Sequence, residues 1–308
     1  MEFVHAPVML SEVLAALQPK AGGVYADGTL GGGGHAEAVL EASAPAGWLW
    51  ACDRDAVALE ASSLKLARFA GRFELRRGNY AELSEWVTPA SVDGVLLDLG
   101  VSSPQLDVAE RGFSFQREGA LDMRMDARQS LTAAVIVNEW SEFELARIIW
   151  ELGGERQSRR IARAITEARG ARQIETTTQL AALIEKVIPR RGQKTHPATQ
   201  AFQALRMAVN DELGALRQGL VGAVTLLRSG GRLAVITFHS LEDRLVKRFG
   251  NEQSRDYTFE GEVDVPELRQ PRTPELRWVQ RKAMQPSAAE VEINPRARSA
   301  QLRVLEKI

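Results

Sequence analysis

The chain has 308 residues, of which 44% are hydrophobic and 26% charged, a composition typical of a globular protein with a large core. Its single cysteine, Cys52, excludes an intramolecular disulfide and any cysteine-based zinc cluster. No apolar run approaches the roughly 20 residues that cross a bilayer, and residues 1–5 lack a secretory signal pattern, so we expect a cytoplasmic protein that does not enter a membrane.

The net charge of −1 conceals an uneven distribution along the chain. Residues 1–110 contain 7 Lys/Arg and 15 Asp/Glu, a net charge of −8. Residues 155–194 contain 10 Lys/Arg and 4 Asp/Glu, a net charge of +6. This asymmetry predicts that one part of the chain holds a cationic ligand and another part faces an anionic partner.

A helical pattern over residues 7–17 is followed by the opening of a nucleotide-binding unit. An apolar strand ends in Asp27, four consecutive glycines lead into a helix that begins at His35, and a second apolar strand ends in Asp53. Glycines in such a loop permit positive φ and close approach of the backbone to a ligand. Asp53 lies 20 residues after Gly33, the spacing at which a carboxylate accepts hydrogen bonds from ribose hydroxyls.

The cofactor of this unit has two candidates. The segment from Gly31 to Ala36 also satisfies the dinucleotide pattern G-x-G-x-x-[GA], so an NAD(P)-dependent oxidoreductase is an alternative. Asp27 stands directly before the glycines, where it suits the cationic amino-acid end of S-adenosylmethionine and would repel a pyrophosphate. A third acid at a strand end, Asp98, favours S-adenosylmethionine further.

The remaining pattern predicts a doubly wound α/β sheet interrupted by helices. A helix is expected over residues 56–70, a third strand with its exit turn over 73–80, and further strands over 92–98, 230–238 and 299–305. Between the fourth and fifth strands, helices are expected over residues 143–151, 157–168, 178–187 and 200–217. We therefore predict one discontinuous domain, residues 1–109 and 211–308, with a mostly helical insertion at 110–210.

The end of the fourth predicted strand carries the polar residues Asp98, Ser102 and Ser103, followed by Pro104. Enzymes that methylate an exocyclic base amine have an acidic or polar residue before Pro-Pro-aromatic at this place, a motif that the present segment approaches without matching. The amine lone pair is delocalised into the base, so acceptors on its hydrogens assist attack on a methyl donor. A simple turn is the alternative.

Several blocks carry a family resemblance along the whole chain. They are His5-x-Pro7-Val8-Met9-Leu10, the loop from Asp27 to His35, Asp53-Arg54-Asp55, Leu97 to Asp107, Glu110 to Phe115, Leu121 to Asp126, His196 to Thr199, Phe238 to Arg244, and Asn294 to Ser299. Together they resemble the bacterial 16S ribosomal RNA (cytosine-N4)-methyltransferases, RsmH or MraW. The departures are small: Leu30 and Gly32 occupy variable places, and Tyr80 stands where many relatives have phenylalanine.

The resemblance implies a Rossmann-like methyltransferase fold, S-adenosylmethionine as cofactor and a set of cofactor-binding residues. That set is Asp27, Gly33, Gly34, His35, Asp53, Tyr80, Asp98 and Gln105. Within it Asp53 would hold the ribose and Tyr80 would pack near the adenine. On the residues alone, Tyr80 also fits an ordinary core aromatic, and His35 a helix-start residue without a direct role.

Catalysis is expected to centre on Asp98, Ser102, Ser103 and Pro104. His239 follows a strand in a polar loop and is a further candidate, either as a general base or in positioning the substrate or the loop. Asp122 and Asp126 flank Arg124 at a spacing that could mimic a metal site, but an ion pair is the favoured interpretation. We expect no metal.

The basic segment of the insertion predicts an RNA-binding surface. Arg156, Arg159, Arg160 and Arg163 are spaced so that a helix would place all four on one face. Further lysines and arginines follow up to Lys194, and arginine suits phosphate contacts. A solvated stripe is the alternative.

The sequence thus predicts a methyltransferase that uses S-adenosylmethionine to methylate the N4 amine of one cytidine in 16S ribosomal RNA. The expected partner is that RNA within the small ribosomal subunit, with the target base turned out of its helix, and a homodimer is a further expectation. Alternatives are an N-methyltransferase for another nucleic-acid or protein amine, the NAD(P)-dependent oxidoreductase, and a non-enzymatic RNA-binding module.

Overall fold

The computed structural model describes residues 7–190, 195–259 and 264–308. The chain divides into two compact units: unit 1 is Met1–Gly100 with Leu213–Ile308, and unit 2 is Val101–Glu212. Unit 2 begins nine residues earlier than the predicted insertion and ends two residues later. None of the helices in the described part of the chain is long and apolar enough to span a membrane.

Unit 1 is built on a sheet of seven strands within its described residues. A separate hairpin is formed by β6 and β7. In chain order the strands are β1 (Val24–Asp27), β2 (Trp48–Asp53), β3 (Phe73–Arg77), β4 (Val92–Asp98), β5 (Leu227–Thr237), β6 (Tyr257–Thr258), β7 (Gln270–Pro271), β8 (Leu276–Trp278) and β9 (Gln301–Lys307). The order in the sheet is β3-β2-β1-β4-β5-β9-β8; the first five are parallel, and β9 runs antiparallel to both of its neighbours. This mostly parallel sheet confirms the predicted Rossmann-like α/β class.

The helices of unit 1 cover both faces of that sheet. They are α1 (Leu10–Leu17), α2 (Gly34–Ala42), α3 (Ala56–Leu66), α10 (Glu212–Leu226, whose first residue belongs to unit 2), α11 (Ser240–Gln253) and α12 (Ala288–Ile293). Successive strand residues point to opposite faces, so Leu96 packs in the cluster with α1 and α2, while Val95 and Leu97 pack with α10. All three side chains are at most 1% exposed, which fixes the register of the central strand.

Unit 2 contains helices and no strand of the sheet among its described residues. The helices are α4 (Ser103–Asp107), α5 (Ala133–Glu139), α6 (Glu142–Glu151), α7 (Ser158–Ala171), α8 (Thr177–Val187) and α9 (Thr199–Asn210). Thr132, Ser141 and Thr176 cap α5, α6 and α8 by accepting a backbone N–H with their hydroxyl oxygens. The apolar faces of α5 to α9 form one buried core.

The structure contains α5, which was not predicted, and it differs from the predicted elements in two further places. The helix expected over residues 200–217 is broken at Asp211, where φ is 44°, so α9 and α10 are separate helices. Between residues 238 and 299, where no element is predicted, the structure forms α11, α12 and the short strands β6, β7 and β8, and β8 joins the sheet. β8 is three residues long and lies among prolines, so its pairing with β9 rather than its local pattern makes it a strand.

Candidate active site

Three acids lie at the carboxyl ends of neighbouring parallel strands. Asp27, Asp53 and Asp98 are the last residues of β1, β2 and β4, and β1 lies between the other two strands. The chain connects β1 to β2 on one side and later reaches β4 on the other, so the strand order reverses between β1 and β4. Ligands of open α/β sheets bind at the carboxyl ends of the strands at such a reversal.

The glycine loop before α2 is closely packed. Gly33 has φ 73° and precedes the first residue of α2, a conformation that a side chain would strain. A Cβ atom on Gly33 would lie 3.0 Å from the Ser62 hydroxyl, and one on Gly34 would lie 3.0 Å from the Pro7 ring. The backbone of the loop is therefore held against α3 and the segment before α1.

Asp53 fixes this loop through its carboxylate. Oδ2 accepts the N–H of Gly31 at 2.8 Å, and Oδ1 accepts the N–H of Asp55 at 2.8 Å. A carboxylate oxygen can accept two hydrogen bonds, so each oxygen retains capacity for a hydroxyl donor. Burial raises the pKa of Asp53, while the two N–H donors partly offset that shift.

Asp27 is 3% exposed and accepts the N–H of Thr29 at 2.9 Å. Burial, reinforced by the negative charge of Asp53, raises its pKa from 3.8 to about 7. A cation bound beside Asp27 would reverse that shift, because it favours the ionised carboxyl group.

Thr29 connects the ends of β1 and β4. Its Oγ1 accepts the N–H of Asp98 at 2.6 Å and lies 3.4 Å from Asp27 Oδ1. Thr29 was not predicted as a site residue. The Asp-x-Thr spacing could have identified it, because this spacing is typical of a side chain that closes a turn at a strand end.

Asp98 faces His35, the second residue of α2. The distance from Asp98 Oδ2 to His35 Nδ1 is 3.7 Å, and His35 Nε2 donates a hydrogen bond to the Val8 carbonyl at 2.9 Å. Asp98 Oδ1 is buried and has no hydrogen-bond partner among the described residues. Burial, with the negative charges of Asp27 and Glu242, raises the pKa of Asp98 well above its usual value.

His239 stands at the start of α11 and acts there as a helix cap. Its Nδ1 accepts the N–H of Glu242 at 3.5 Å, while the Glu242 carboxylate accepts the N–H of Phe238 at 3.0 Å and lies near the N–H of His239. His239 Nε2 is 3.0 Å from Glu242 Oε1 without hydrogen-bond geometry. Both ring nitrogens therefore face Glu242, which favours the structural role for His239.

Glu242 was not predicted as a site residue, although it is 2% exposed and acts on the Asp98 pKa. The spacing His239-x-x-Glu242 is that of a capping box, and this pattern could have drawn attention to it.

Tyr80 follows β3 and is half-buried. A Cβ on Gly28 would lie 2.5 Å from Tyr80 Cβ, and one on Gly219 would lie 2.4 Å from its ring, so both glycines make room for this side chain. The Arg54 guanidinium lies 5.9 Å from the ring centroid. Tyr80 is thus a packed aromatic beside the strand-end site, and its contact with adenine stays a prediction.

The other predicted site residues that follow β4 along the chain belong to unit 2. Gln105 is buried, and its Oε1 accepts the N–H of Ser102 at 3.0 Å, which closes the turn before α4. The backbone of Ser103 and Pro104 begins α4, but their side chains lie outside the described structure. The catalytic roles of these residues stay predictions.

The arginines predicted to bind RNA are all exposed. Arg159, Arg160 and Arg163 lie on α7, but Arg156 precedes the first helical residue, Ser158, so the prediction that one helix carries all four is wrong for Arg156. The chain turns there, with the Ser158 N–H donating to the Glu155 carbonyl at 3.1 Å. Lys194 lies outside the described residues.

The segment around Arg124 forms ion pairs. Arg124 donates to both carboxylate oxygens of Asp122 at 2.8 Å, and Arg128 donates to Asp126 at 2.6 Å. Each aspartate thus has an arginine partner, in keeping with the interpretation as ion pairs rather than metal ligands.

The strand-end site fits a cationic ligand with a ribose. Asp27 is buried, and Asp98 is 19% exposed with a buried Oδ1; both have raised pKa values, and the charges that raise the Asp98 pKa are negative. Asp98 Oδ1 accepts no hydrogen bond from the described residues, so it is available to a donor of a ligand. S-Adenosylmethionine carries a sulfonium and an ammonium group and would supply both missing charges, whereas a pyrophosphate would add to the repulsion.

Comparison with known proteins agrees with this chemistry. The chain is 48% identical to ribosomal RNA small subunit methyltransferase H of Heliobacterium mobile, with 100% of both chains covered. It is 49% identical to the protein of the same name from Symbiobacterium thermophilum, covering 100% of this chain and 98% of that one, and 50% identical to that of Geobacter sulfurreducens, covering 100% of both. Residues 2–308 match the model of the MraW methylase family. The resemblance found in the sequence is therefore confirmed, and the chain belongs to the MraW methylase family.

Proposed function

We propose that this chain transfers the methyl group of S-adenosylmethionine to the N4 amine of a cytidine in 16S ribosomal RNA. The observation that carries the proposal is the set of buried carboxyl groups at the ends of β1 and β4. Such a set favours a bound cation, because a positive charge offsets the cost of ionising these groups, and in a methylase the cofactor provides one. The names of the three relatives support ribosomal RNA of the small subunit as the substrate.

The cofactor would be held by residues from three strand ends. Asp53 has acceptor capacity for the ribose hydroxyls, and the backbone of Gly33 and Gly34 lines the loop where a ligand can approach closely. Tyr80 would pack against the adenine, and Gln105 would complete the pocket. Asp27 and Asp98 would compensate the positive charges.

When bound, S-adenosylmethionine supplies an electrophilic methyl group on a positively charged sulfur. Asp98 is the residue suited to prepare the amine, because its Oδ1 is buried and can accept a hydrogen bond from an amine N–H. That hydrogen bond localises the nitrogen lone pair, which is otherwise delocalised into the ring. Since its pKa is raised, Asp98 is also a competent acceptor of the proton that the nitrogen loses after the N–C bond has formed.

His35 acts as a positioning residue for Asp98. Its Nε2 is held by the Val8 carbonyl, so Nδ1 stays directed toward Asp98 Oδ2. Ser102, Ser103 and Pro104 stay candidates for the catalytic step on the sequence motif alone.

The RNA would be bound by the exposed arginines of unit 2, namely Arg156, Arg159, Arg160 and Arg163. Arginine suits phosphate oxygens, and the net charge of +6 in residues 155–194 favours a polyanion. The target cytidine would be turned out of its helix to reach Asp98. We further propose the assembled small subunit as the natural substrate and a homodimer as the working form.

The direct test uses methyl-labelled S-adenosylmethionine with small ribosomal subunits from a strain that lacks this activity. We expect the label in 16S RNA, while duplex DNA and bulk protein stay unlabelled. Label in DNA or protein alone would contradict the proposal. Naked 16S RNA in a parallel reaction identifies the preferred form of the substrate, and sedimentation of the protein measures whether it dimerises.

Calorimetric titration separates the two cofactor classes. S-Adenosylmethionine should bind and NADH should not, because a pyrophosphate would approach Asp27. Binding of NADH alone would favour the oxidoreductase. Failure of both cofactors to bind while RNA binds would favour a non-enzymatic RNA-binding module.

A further inference from the structure

Helix α6 of unit 2 exposes two aromatic side chains. Phe143 is 77% exposed and Trp150 is 55% exposed. Every other phenylalanine, tryptophan and tyrosine among residues 7–190, 195–259 and 264–308 is buried or half-buried. Two large exposed aromatics on one helix are costly to keep in water, so they indicate a binding surface.

The two aromatics lie on the same face. They are seven residues apart, which corresponds to two helical turns and about 10 Å along the axis. Arg147 lies between them and is also exposed, whereas the opposite face of α6 carries the buried residues Leu145, Ile148 and Ile149. The exposed face is therefore an aromatic-arginine-aromatic stripe that packing of α6 does not use.

The stripe adjoins the basic helix α7. The two helices form an antiparallel hairpin with a short turn, in which the N–H of Gly154 donates to the Trp150 carbonyl at 2.9 Å. Glu142, at the start of α6, lies 3.8 Å from Arg163 and 3.4 Å from the Thr166 hydroxyl. This register sets Trp150 at the level of the first turn of α7 and Phe143 at the level of Arg163.

The acids of α6 do not interrupt the stripe. Glu142 faces α7, and Glu144 is engaged with the N–H and hydroxyl of Ser141 in the capping box. Glu151 is exposed at the end of the helix, on the flank away from Glu142. On the side toward α7, Arg163 lies 3.8 Å from the Glu142 carboxylate, and Arg159 is one helical turn away on the same side of α7 and supplies the second positive charge beside the aromatics.

We propose that this face of the α6–α7 hairpin binds a single-stranded segment of the RNA substrate, with unpaired bases stacked on Phe143 and Trp150 and phosphates on the arginines of α7. The inference rests on the proposed function and adds the kind of RNA that unit 2 recognises. Paired bases are stacked on each other and cannot cover the rings, whereas splayed bases stack readily on aromatic side chains. Arginine beside the rings supplies the phosphate contacts that a purely apolar protein partner would not need.

The test compares binding of a short single-stranded RNA with binding of the same strand in a duplex. Replacing both aromatics by alanine (F143A with W150A) should weaken single-strand binding by about tenfold or more. Duplex binding and S-adenosylmethionine binding should stay unchanged. The aromatic-retaining variant F143Y with W150F should bind the single strand like the wild type, and L64A, which removes an exposed apolar side chain from α3 (76% exposed), is the matched control.

Equal binding of the single strand by wild type and alanine variant would overturn the inference, as would equal weakening for single strand and duplex. A change in self-association without a change in RNA binding would assign the stripe to a second copy of the chain. If the alanine variant fails to fold, the fluorescence of Trp150 can be measured as the difference between wild type and W150F. Quenching of this fluorescence by the single-stranded RNA supports stacking on Trp150, and no quenching contradicts it. Methylation of 16S RNA by the wild type tests the proposed function separately, so the two can fail independently.

Discussion

Buried carboxyl groups dominate the site at the scale of single residues. Asp27 is 3% exposed, the Oδ1 atom of Asp98 is buried, and the negative charge of Asp27 raises the cost of ionising Asp98. A bound cation reverses this cost, so cofactor binding and proton release are linked. This supports the proposal that the strand-end site binds a positive charge.

Cofactor affinity should rise with pH. Because the pKa of Asp27 is about 7 in the folded chain and 3.8 ordinarily, a cation that binds below pH 7 must displace a proton. The affinity for S-adenosylmethionine should rise by up to about tenfold per pH unit for this group between about pH 5 and 7. Calorimetry in two buffers of different ionisation enthalpy measures the proton release.

Asp27→Asn is the control for that linkage, since it keeps the acceptor for the Thr29 N–H and removes the charge. It should reduce the slope of log affinity against pH by about one proton; an unchanged slope would remove Asp27 from the site. In the wild type without cofactor the same group lowers stability as the pH rises from 3.8 to about 7, because the native state keeps a proton that the unfolded chain releases.

Asp53→Ala should weaken S-adenosylmethionine binding by about 1.5–3 kcal/mol for each charge-assisted hydrogen bond that it removes. Asp53 also holds Gly31 and Asp55, so the loop alone could account for part of the weakening. A cofactor analogue without ribose hydroxyls separates the two effects. The analogue should bind the wild type poorly, and its affinity should differ little between the wild type and Asp53→Ala. If the variant binds neither S-adenosylmethionine nor the analogue, Asp53 is a loop residue only.

The strand-end acids could be predicted from the sequence because each follows an apolar run directly. Asp27, Asp53 and Asp98 end their strands as expected. Thr29 and Glu242 could not be predicted in the same way, since their partners come from distant strands or from a cap that forms only when β5 leads into α11. Their burial is a property of the folded sheet.

At the scale of elements, periodic apolar patterns predicted most helices and strands. The break at Asp211 was missed because no glycine or proline marks it. Asn210 explains it: its side chain accepts the N–H of Met125 and donates to the Met123 carbonyl, each at 2.8 Å. These partners are 85 and 87 residues away along the chain, so a local sequence pattern does not indicate them.

The left-handed conformation of Asp211 can be tested by the sign of the stability difference between a glycine and an alanine variant. At φ 44° glycine is favoured over alanine, so Asp211→Gly should be more stable than Asp211→Ala by about 1 kcal/mol. Within a continuous helix the order would reverse by about the same amount. Chemical denaturation of both variants measures the difference, and a more stable alanine variant would contradict the helix break.

At the scale of the whole molecule, the charges separate into an acidic part and a basic part. The net charge of −8 in residues 1–110 includes the three strand-end acids of the proposed cofactor site, and the +6 of residues 155–194 includes α7. The distribution of charged residues along the sequence predicted this division. The separation means that binding of the cation and binding of the polyanion can be changed independently by substitution.

Replacing Arg159 and Arg160 by alanine should weaken RNA binding and leave S-adenosylmethionine binding intact. The slope of log affinity against log salt should shrink by roughly 0.9 for each duplex phosphate, or roughly 0.7 for each single-strand phosphate, that the variant no longer neutralises. Arg248→Ala, on α11 with an 81% exposed side chain, is the matched control. Unchanged affinity and unchanged slope in the double variant would show that the arginines are solvated surface.

The most direct test of the proposed activity is mass spectrometry of nucleosides from 16S RNA after reaction with S-adenosylmethionine. The wild type should produce N4-methylcytidine at one position, and Asp98→Ala should produce none at saturating cofactor and RNA, because the buried acceptor for the amine is gone. A methyl group on any atom other than cytidine N4, or product formation by Asp98→Ala at a rate near that of the wild type, would contradict it.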